Sequence, residues 1–370
     1  MISQVARIRP RFHLHAGDLC YADMTGHGQP TDAFSSGAWD QWLTQIEPVA
    51  SSSPWMCATG NHEMESGFGS QGYDGYLNRF WVPGGGAPGC PATYSFRYGN
   101  VGFVSLDSND VSFEIPHNLG YLGGRQSSWL EQRLAAFHTP GSGVDFVVVF
   151  FHHCVYSTSG AHGSEGGVRE NWVPLFDRYQ VDLVVNGHAH VYERTSQLRH
   201  GQVTHHVERS EHVDASVGTT YITAGGGGFR SDGGFMQTGA LVVQAHGVKQ
   251  REQAPWSRPT RTTRHSFLAV HVTPRSIVDG DATRSRPSFG VNDTDVGSLD
   301  SRQAPEEGPA SVSLMRNSRL PATWQTLLTD QVTCCSSSIR TSPAQIRAVS
   351  APAQDHDSSP PSRAGPGRAD

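Results

Sequence analysis

The sequence predicts an α/β fold, because a strand, a helix and a second strand follow one another near its middle and other apolar runs of strand length surround them. Residues 144–151 form a β-branched and aromatic run that is too short for a typical helix. A helix is predicted over 168–179, and the largely apolar run 181–185 then has the length of a buried strand. This alternation is typical of a sheet with helices packed on its faces.

Apolar periodicity predicts six further elements in the first part of the chain. They are helices over 1–9 and 38–46 and strands over 12–16, 55–59, 93–98 and 101–106. The dipeptide Gly99-Asn100 between the last two strands indicates a two-residue hairpin turn. Ser128 and Glu131 form a capping box, which predicts that a helix with an apolar stripe including Leu130 follows Ser128.

Two more strands are predicted in the second half, over 219–223 and 266–273. Four glycines at 225–228 allow close backbone approach or a tight turn, or form a phosphate-cradling loop, although the P-loop and dinucleotide spacings are absent. From about residue 279 the chain is rich in Ser, Pro and Arg with little periodicity, which predicts disorder. We therefore expect a folded domain over 1–278 and a disordered C-terminal tail over 279–370.

The composition excludes several classes of protein. The 370 residues include 34 Asp and Glu against 28 Lys and Arg, without the basic stripe of a nucleic-acid-binding protein, so a small ligand is the favoured partner. The sequence contains no run of about 18 apolar residues, so no membrane-spanning segment is predicted. Residues 1–10 lack the apolar core of a secretory signal. The six cysteines have no C-x-x-C spacing, so neither a zinc ribbon nor a redox pair is predicted.

Four predicted strands end on side chains that can bind a metal. The residues are Asp18 with Tyr21, Asn61 with His62, His152 with His153, and His188 with His190. Packing alone does not explain this convergence, because each polar group buried without a partner costs about 1–3 kcal/mol. Carboxylate, phenolate, amide and imidazole donors suit iron, zinc or manganese. Two such ions about 3.5–4 Å apart, bridged by a carboxylate, are typical of phosphoester hydrolysis.

Each candidate also has a purely structural interpretation. Tyr21 is of a type that is more often a core aromatic, and Asn61 is of a type that caps helices. His162 lies in a glycine- and serine-rich loop that could leave it exposed. His13 and His15, like His153, are interpreted as strand residues or as supports for ligands rather than as catalytic groups.

The motifs GDLCY at 17–21, GNHE at 60–63, VFFH at 149–152 and GHAH at 187–190 resemble four of the five motifs of the purple acid phosphatases, within the calcineurin-like metallophosphoesterases. The match spans about residues 12–228. The resemblance implies a sandwich of two mixed β-sheets flanked by helices, so that 1–278 would be a metallophosphoesterase catalytic domain.

The resemblance also implies a pair of metal ions, Fe³⁺ with Fe²⁺, Zn²⁺ or Mn²⁺. Asp18 would bridge the two ions, and Tyr21 and His190 would bind the ferric ion. The ligands of the divalent ion would be Asn61, His152 and His188. The family's first motif, D-x-G, would lie upstream of residues 1–9, so we expect this chain to lack the first strand and one carboxylate of the iron site.

His62 and His162 match histidines that contact the substrate phosphate in this family, and His62 would also protonate the leaving oxygen. The implied activity is hydrolysis of small phosphate monoesters, of the acid phosphatase type, by a hydroxide that two metal ions activate. Two alternatives stay open at this point. One is a phosphodiesterase with the same centre, and the other is a non-catalytic relic that binds metal or phosphate. The family is commonly secreted, although no export signal is found in this chain.

Overall fold

The computed structural model describes residues 2–23, 35–64, 72–90, 92–206, 212–213, 216–228, 234–237, 239–263, 265–270 and 289–290. All of them belong to the first of two compact units, Met1–Met315. The second unit, Arg316–Asp370, lies outside the described residues, and so does the tail predicted over 279–370 except for residues 289–290.

The described residues form helices and strands in mixed order, which confirms the predicted α/β class. The helices are α1 Ile2–Ile8, α2 Ser36–Ala50, α3 Asp74–Leu77, α4 Arg125–Phe137 and α5 Gly166–Arg178. The strands are β1 His13–Ala16, β2 Trp55–Ala58, β3 Tyr94–Tyr98, β4 Val101–Ser105, β5 Phe146–Phe150, β6 Ser164–Glu165, β7 Leu183–Asn186, β8 Tyr192–Thr195, β9 Gln197–Arg199, β10 Gln202–His205, β11 His212–Val213, β12 Thr220–Ala224, β13 Ala240–Val243, β14 Lys249–Glu252, β15 Ser257–Thr262 and β16 Phe289–Gly290. None of the described helices is long and apolar enough to cross a membrane.

The largest sheet has seven strands in the order β15-β8-β12-β7-β5-β4-β3. Its four central strands, from β12 to β4, are mutually parallel, and antiparallel strands lie on both sides of them. A second mixed sheet has the order β14-β13-β6. The strands β1 and β2 form a separate parallel pair. The predicted hairpin at Gly99-Asn100 is confirmed, because β3 and β4 pair in register across it.

Both faces of the large sheet are covered, because the side chains of its central strands alternate between two apolar clusters. Val147 and Val149 of β5 pack in the cluster that includes residues of α4 and α5. Val148, between them, belongs to the cluster on the opposite face, together with Ala58 of β2 and the adjoining Leu14 of β1. The β1–β2 pair is therefore fixed against the large sheet by the core, and its strand ends are positioned beside those of β5 and β7.

Two sequence predictions about element boundaries are wrong. The capping box at Ser128 does not begin a helix, because α4 already begins at Arg125. The side chain of Gln126 is fully buried and bonds to the backbone at Asp107, which fixes this additional N-terminal turn. The Ser128 hydroxyl instead donates to the carbonyl of Gly124.

The described part of the strand predicted over 266–273, residues 266–270, contains a single β-bridge position at Leu268 and no longer strand. The backbone N–H of Ser266 donates to the carbonyl of Gly226, which ties this segment to the glycine turn after β12. The outermost position of the large sheet is taken by β15, which pairs with β8. Residues 271–273 lie outside the described residues.

Candidate metal centre

The four predicted motifs follow the carboxyl ends of β1, β2, β5 and β7. Because β1 is parallel to β2 and β5 is parallel to β7, each pair presents its motifs at one edge. Two contacts hold the strand ends together at this edge, the first within the β5–β7 pair and the second between that pair and β1. The N–H of Gly187 donates to the carbonyl of His152, and the Nδ1 atom of His152 lies 2.7 Å from the carbonyl of Ala16. The structure therefore brings the four motifs together.

One group of donor atoms is formed by Asp18, His152 and His188. The Oδ2 atom of Asp18 lies 3.0 Å from Nε2 of His152, and that nitrogen lies 3.1 Å from Nδ1 of His188. Ligands about 2.1 Å from a metal ion are separated from their neighbours by about 3 Å when the angle between them is near 90°. The spacing and the chemistry of these three donors therefore fit one metal ion.

A second group of potential metal ligands is formed by Asp18, Tyr21 and His190. The hydroxyl of Tyr21 is 3.0 Å from Nε2 of His190 and 3.5 Å from Oδ2 of Asp18. The same carboxylate oxygen thus lies next to donors of both groups. This is the position that a bridging ligand of two metal ions requires.

Asn61 occupies the short 3₁₀ turn Asn61–Glu63 directly after β2 and is buried. The turn lies against Asp18, because the N–H of His62 donates to Oδ1 of Asp18 across 3.1 Å. Gly60 makes this approach possible, since a Cβ atom at that position would lie 2.2 Å from Oδ1 of Asp18. The sequence motif GNHE therefore places the turn that carries the buried Asn61 against the Asp18 carboxylate.

The backbone of three predicted ligands has left-handed dihedral angles. The φ angle is 55° at Asp18, 55° at Tyr21 and 57° at His188. Such conformations cost non-glycine residues about 1–2 kcal/mol each and persist only where the surroundings enforce them. Their concentration at this edge of the sheets indicates that the side chains are held for a function.

Glu63 holds the two ligand loops together. Its carboxylate accepts the N–H groups of Asp18 and Gly60, each at 2.7 Å, and that of Leu19 at 2.6 Å. Burial and the charge of Asp18 raise the pKa of Glu63 to about 7, although the N–H donors oppose this shift. Glu63 is thus a buried acceptor that fixes the backbone on which Asp18 and Asn61 are carried.

The electrostatics of the centre favour positive charge beside Asp18. Burial alone would raise the pKa of Asp18, but the charges of His152, His62 and His188 and a hydrogen bond from His152 hold it far below its usual range. Burial alone would likewise lower the pKa of His152, which Asp18 and the Ala16 carbonyl instead raise above its usual value. A metal cation bound between these groups would supply the same positive charge beside Asp18.

His62 is oriented by a residue that the sequence analysis did not single out. The Oδ1 atom of the buried Asp23 lies 2.8 Å from Nδ1 of His62, and the ring of Tyr21 lies 3.9 Å from the His62 ring between centroids. Burial would lower the pKa of His62, but the hydrogen bond to Asp23 and the charges of Asp18 and Asp23 raise it above its usual value. His62 is therefore a candidate proton donor at the edge of the centre.

Three further side chains surround His188. The His162 ring lies 4.3 Å from the His188 ring and 5.6 Å from that of His190, measured between centroids. The His153 ring is 4.7 Å from that of His188, and Oε2 of Glu114 is 2.8 Å from Nε2 of His188. The structure thus places His162 beside His188 and His190 and adds Glu114, which no sequence pattern had indicated.

His13 and His15 of β1 pack against tryptophan side chains and belong to neither group of candidate ligands. The ring of His13 stacks on that of Trp55 at 4.7 Å, and the ring of His15 packs edge-on against Trp42. Burial lowers the pKa of each to about 4. Both are strand residues, consistent with their interpretation from the sequence.

The first residue of the glycine run at 225–228 packs closely against a neighbouring backbone. A Cβ atom at Gly225 would lie 2.0 Å from the carbonyl oxygen of Ala189, between His188 and His190. The N–H of Gly225 donates to the carbonyl of Val191. Of the alternatives that the sequence left open, these contacts favour close backbone approach over a phosphate-cradling loop.

The fold and the side chains at its strand ends define a class: a mixed α/β protein with a candidate metal centre of imidazole, carboxylate and phenolate donors. A profile of the calcineurin-like phosphoesterase family matches residues 1–192. This is more than half of the 370 residues, and the chain belongs to the calcineurin-like phosphoesterase family. Members of the family use a dinuclear metal centre.

The relatives confirm the resemblance to purple acid phosphatases. An uncharacterized protein of Mycobacterium tuberculosis is 37% identical over 297 residues, which cover 73% of this chain and 55% of that protein. The probable inactive purple acid phosphatase 1 of Arabidopsis thaliana is 32% identical and covers 58% of this chain and 34% of its own length. A purple acid phosphatase from yellow lupin seeds superimposes with a TM-score of 0.52 at 27% identity, covering 72% of this chain and 43% of its own. This chain therefore spans only about a third to about half of these proteins.

Proposed function

We propose that this chain hydrolyses phosphate monoesters at a dinuclear metal centre. The observation that carries the proposal is the position of Asp18, whose Oδ2 atom lies 3.0 Å from Nε2 of His152 and 3.5 Å from the hydroxyl of Tyr21. Asp18, Tyr21 and His190 would hold one ion. The other would be held by Asp18, Asn61, His152 and His188. Iron in the first position, with iron, zinc or manganese in the second, suits these donors.

When bound, the two cations would activate a water molecule as the nucleophile and neutralise the phosphoryl oxygens. The Nδ1 atom of His152 donates to the Ala16 carbonyl, so Nε2 of the neutral ring has its lone pair directed at the centre. Glu63 holds the loops of Asp18 and Asn61 at fixed separation.

His62 and His162 act on the substrate. Because Asp23 raises the pKa of His62, the ring stays protonated at higher pH than an ordinary histidine and can donate a proton to the leaving oxygen. His162 lies against the rings of both His188 and His190, where a protonated imidazole would contact a phosphate held between the two ions. A small phosphorylated compound is the substrate that this arrangement accommodates.

A non-catalytic role that retains metal or phosphate binding is the second candidate. It is favoured by the Arabidopsis relative, whose name describes it as a probable inactive purple acid phosphatase. A diesterase is the third possibility, since the same donors would activate the same nucleophile.

A colorimetric assay on the purified chain distinguishes these candidates. Turnover of p-nitrophenyl phosphate, with slower turnover of bis(p-nitrophenyl) phosphate, is expected for a monoesterase. Asp18→Asn is expected to remove this activity, while Asp40→Asn, an exposed carboxylate on α2, is expected to retain it. Equal activity in Asp18→Asn would contradict the proposed centre. Preference for the diester would favour the diesterase, and metal binding without turnover of either ester would favour the non-catalytic role.

A further inference from the structure

The two ring nitrogens of His188 face different partners. Nδ1 lies 3.1 Å from Nε2 of His152, within the donor group that contains Asp18. Nε2, on the opposite side of the ring, lies 2.8 Å from Oε2 of Glu114. The side chain of His188 is 5% exposed and that of Glu114 is 29% exposed. The contact is therefore buried at His188 and partly accessible to solvent at Glu114.

The chemistry of imidazole determines what these contacts mean. A neutral ring has one N–H group and one bare nitrogen, and only the bare nitrogen can bind a metal. If Nδ1 of His188 binds the metal ion, Nε2 must be the protonated nitrogen, and its N–H group donates a hydrogen bond to Glu114. His152 is fixed in a similar way, since its Nδ1 faces the Ala16 carbonyl and its Nε2 faces the centre. The Glu114 carboxylate thus accepts the N–H group of His188, as the Ala16 carbonyl accepts that of His152, and each acceptor leaves the other ring nitrogen free of a proton.

The loop that contains Glu114 is itself held in place. The N–H of Glu114 donates to the hydroxyl of Ser112, at 3.1 Å, and that hydroxyl donates to Glu165. The N–H of Phe113 donates to the other carboxylate oxygen of Glu165, at 2.9 Å. Glu165 is buried at the N-terminus of α5. Glu114 therefore reaches His188 from a backbone that is tied to the core of the domain.

We propose that Glu114 is a positioning residue of the metal centre. Its carboxylate accepts the Nε2 proton of His188 and thereby keeps Nδ1 bare and directed at the ion that Asp18 and His152 also bind. This inference rests on the proposed function, because it assumes that His188 is a ligand. Carboxylates that orient metal-bound histidines in this way typically contribute 10- to 100-fold to metal affinity.

The neighbouring His153 offers an alternative role for Glu114, as a ligand of an additional metal ion, and the experiment must distinguish the two roles. Glu114, His153 and His188 each offer one donor atom within 4.8 Å of the others. The Nε2 atom of the fully buried His153 makes no hydrogen bond within the described part of the chain. An additional ion held by these three residues would need Nε2 of His188 as a ligand, so Glu114 could not then receive a proton from it.

The first measurement is the affinity of the metal-free chain for Zn²⁺, titrated against a chromophoric chelator. We expect Glu114→Gln and Glu114→Ala to weaken the tighter zinc site 10- to 100-fold, with the larger effect in the alanine variant. The matched control is Glu131→Gln, because Glu131 is an exposed carboxylate that pairs with Arg178 on the helical side. This control is expected to bind Zn²⁺ as the unaltered chain does.

The second measurement is the tautomer of His188 in the metal-free chain, from long-range ¹H–¹⁵N NMR correlations. We expect the Nε2–H form in the unaltered chain and a mixture of tautomers in Glu114→Ala. The urea unfolding midpoint of the variant should equal that of the unaltered chain. Equal zinc affinity in the Glu114 variants would overturn this inference but leave the proposed function standing, whereas a chain that binds no zinc would overturn both. A third zinc equivalent that the Glu114 variants lose, or an Nδ1–H tautomer in the unaltered chain, would overturn the positioning role.

Discussion

The clearest quantitative expectation concerns the pair formed by Asp23 and His62. The side chain of Asp23 is fully buried, and its Oδ1 atom lies 2.8 Å from Nδ1 of His62. Asp23→Asn keeps the shape and one acceptor oxygen but removes the negative charge. An opposite charge at this distance shifts a pKa by about 1–3 units. Because Asp18 also raises the pKa of His62 and remains in the variant, we expect the pKa of His62 to fall by about 1–2 units.

The pH dependence of the free energy of unfolding follows from the protonated form of His62, which the negative charge of Asp23 stabilises. The pKa of His62 is raised in the folded chain, so the His62–Asp23 contact stabilises the fold fully below about pH 6.5 and is lost as the pH rises through the folded-state pKa. Asp23→Asn should therefore lower the free energy of unfolding more at pH 6 than at pH 9, by about 1.4 kcal/mol for each unit of pKa shift. If His62 donates the proton to the leaving oxygen, the alkaline limb of kcat moves to lower pH by the same number of units.

Two assays test this expectation separately. An NMR titration of the His62 ring gives its pKa without any requirement for turnover, and a pH profile of kcat with p-nitrophenyl phosphate gives the functional consequence. Asp74→Asn, an exposed carboxylate on α3, is the control and should change neither curve. A pKa of His62 that stays constant or rises in Asp23→Asn would refute the reasoning. A shifted pKa with an unmoved alkaline limb would remove His62 from the role of proton donor.

Two further predictions concern stability and packing. Burial lowers the pKa of His15 to about 4, below its value of about 6.5 in the unfolded chain, so stability should be complete above pH 6.5 and decrease by up to about 3 kcal/mol as the pH falls to 4. His15→Phe should reduce this loss in urea unfolding at pH 5, and an unchanged acid sensitivity would contradict the assignment. Gly225→Ala should lower the free energy of unfolding by about 1–3 kcal/mol, because the new methyl group would meet the Ala189 backbone, whereas Gly84→Ala, with no neighbour nearby, should have little effect. Equal unfolding midpoints for the two glycine variants would show that the Ala189 loop moves freely.

The sequence predicted the elements that carry the centre because their signals are local. Runs such as 144–151 are apolar on both faces, as a sheet covered on both sides requires, and β5 lies within that run. The motif residues follow the ends of these strands, so parallel pairing brings them together without further information. These elements account for the placement of seven of the eight predicted site residues at one edge of the sheets, whereas His162 lies in the loop that precedes β6.

Other features depend on contacts between distant parts of the chain and had no local signal. The first turn of α4 forms because Gln126 bonds to Asp107, which no periodicity reveals. Glu114 lies in a loop without periodicity, and its contact with His188 spans 74 residues. Asp23 lies two residues after Tyr21, and its proximity to GDLCY was the only signal that could have indicated it.

The central claim is that Asp18 is shared by two metal ions, and metal content tests it most directly. After reconstitution with iron and zinc and removal of free metal, plasma mass spectrometry should find two equivalents per unaltered chain. Asp18→Asn should retain less than one equivalent, because both donor groups lose the same carboxylate, while Asp40→Asn should retain two. One equivalent or none in the unaltered chain, or two in Asp18→Asn, would contradict a shared carboxylate.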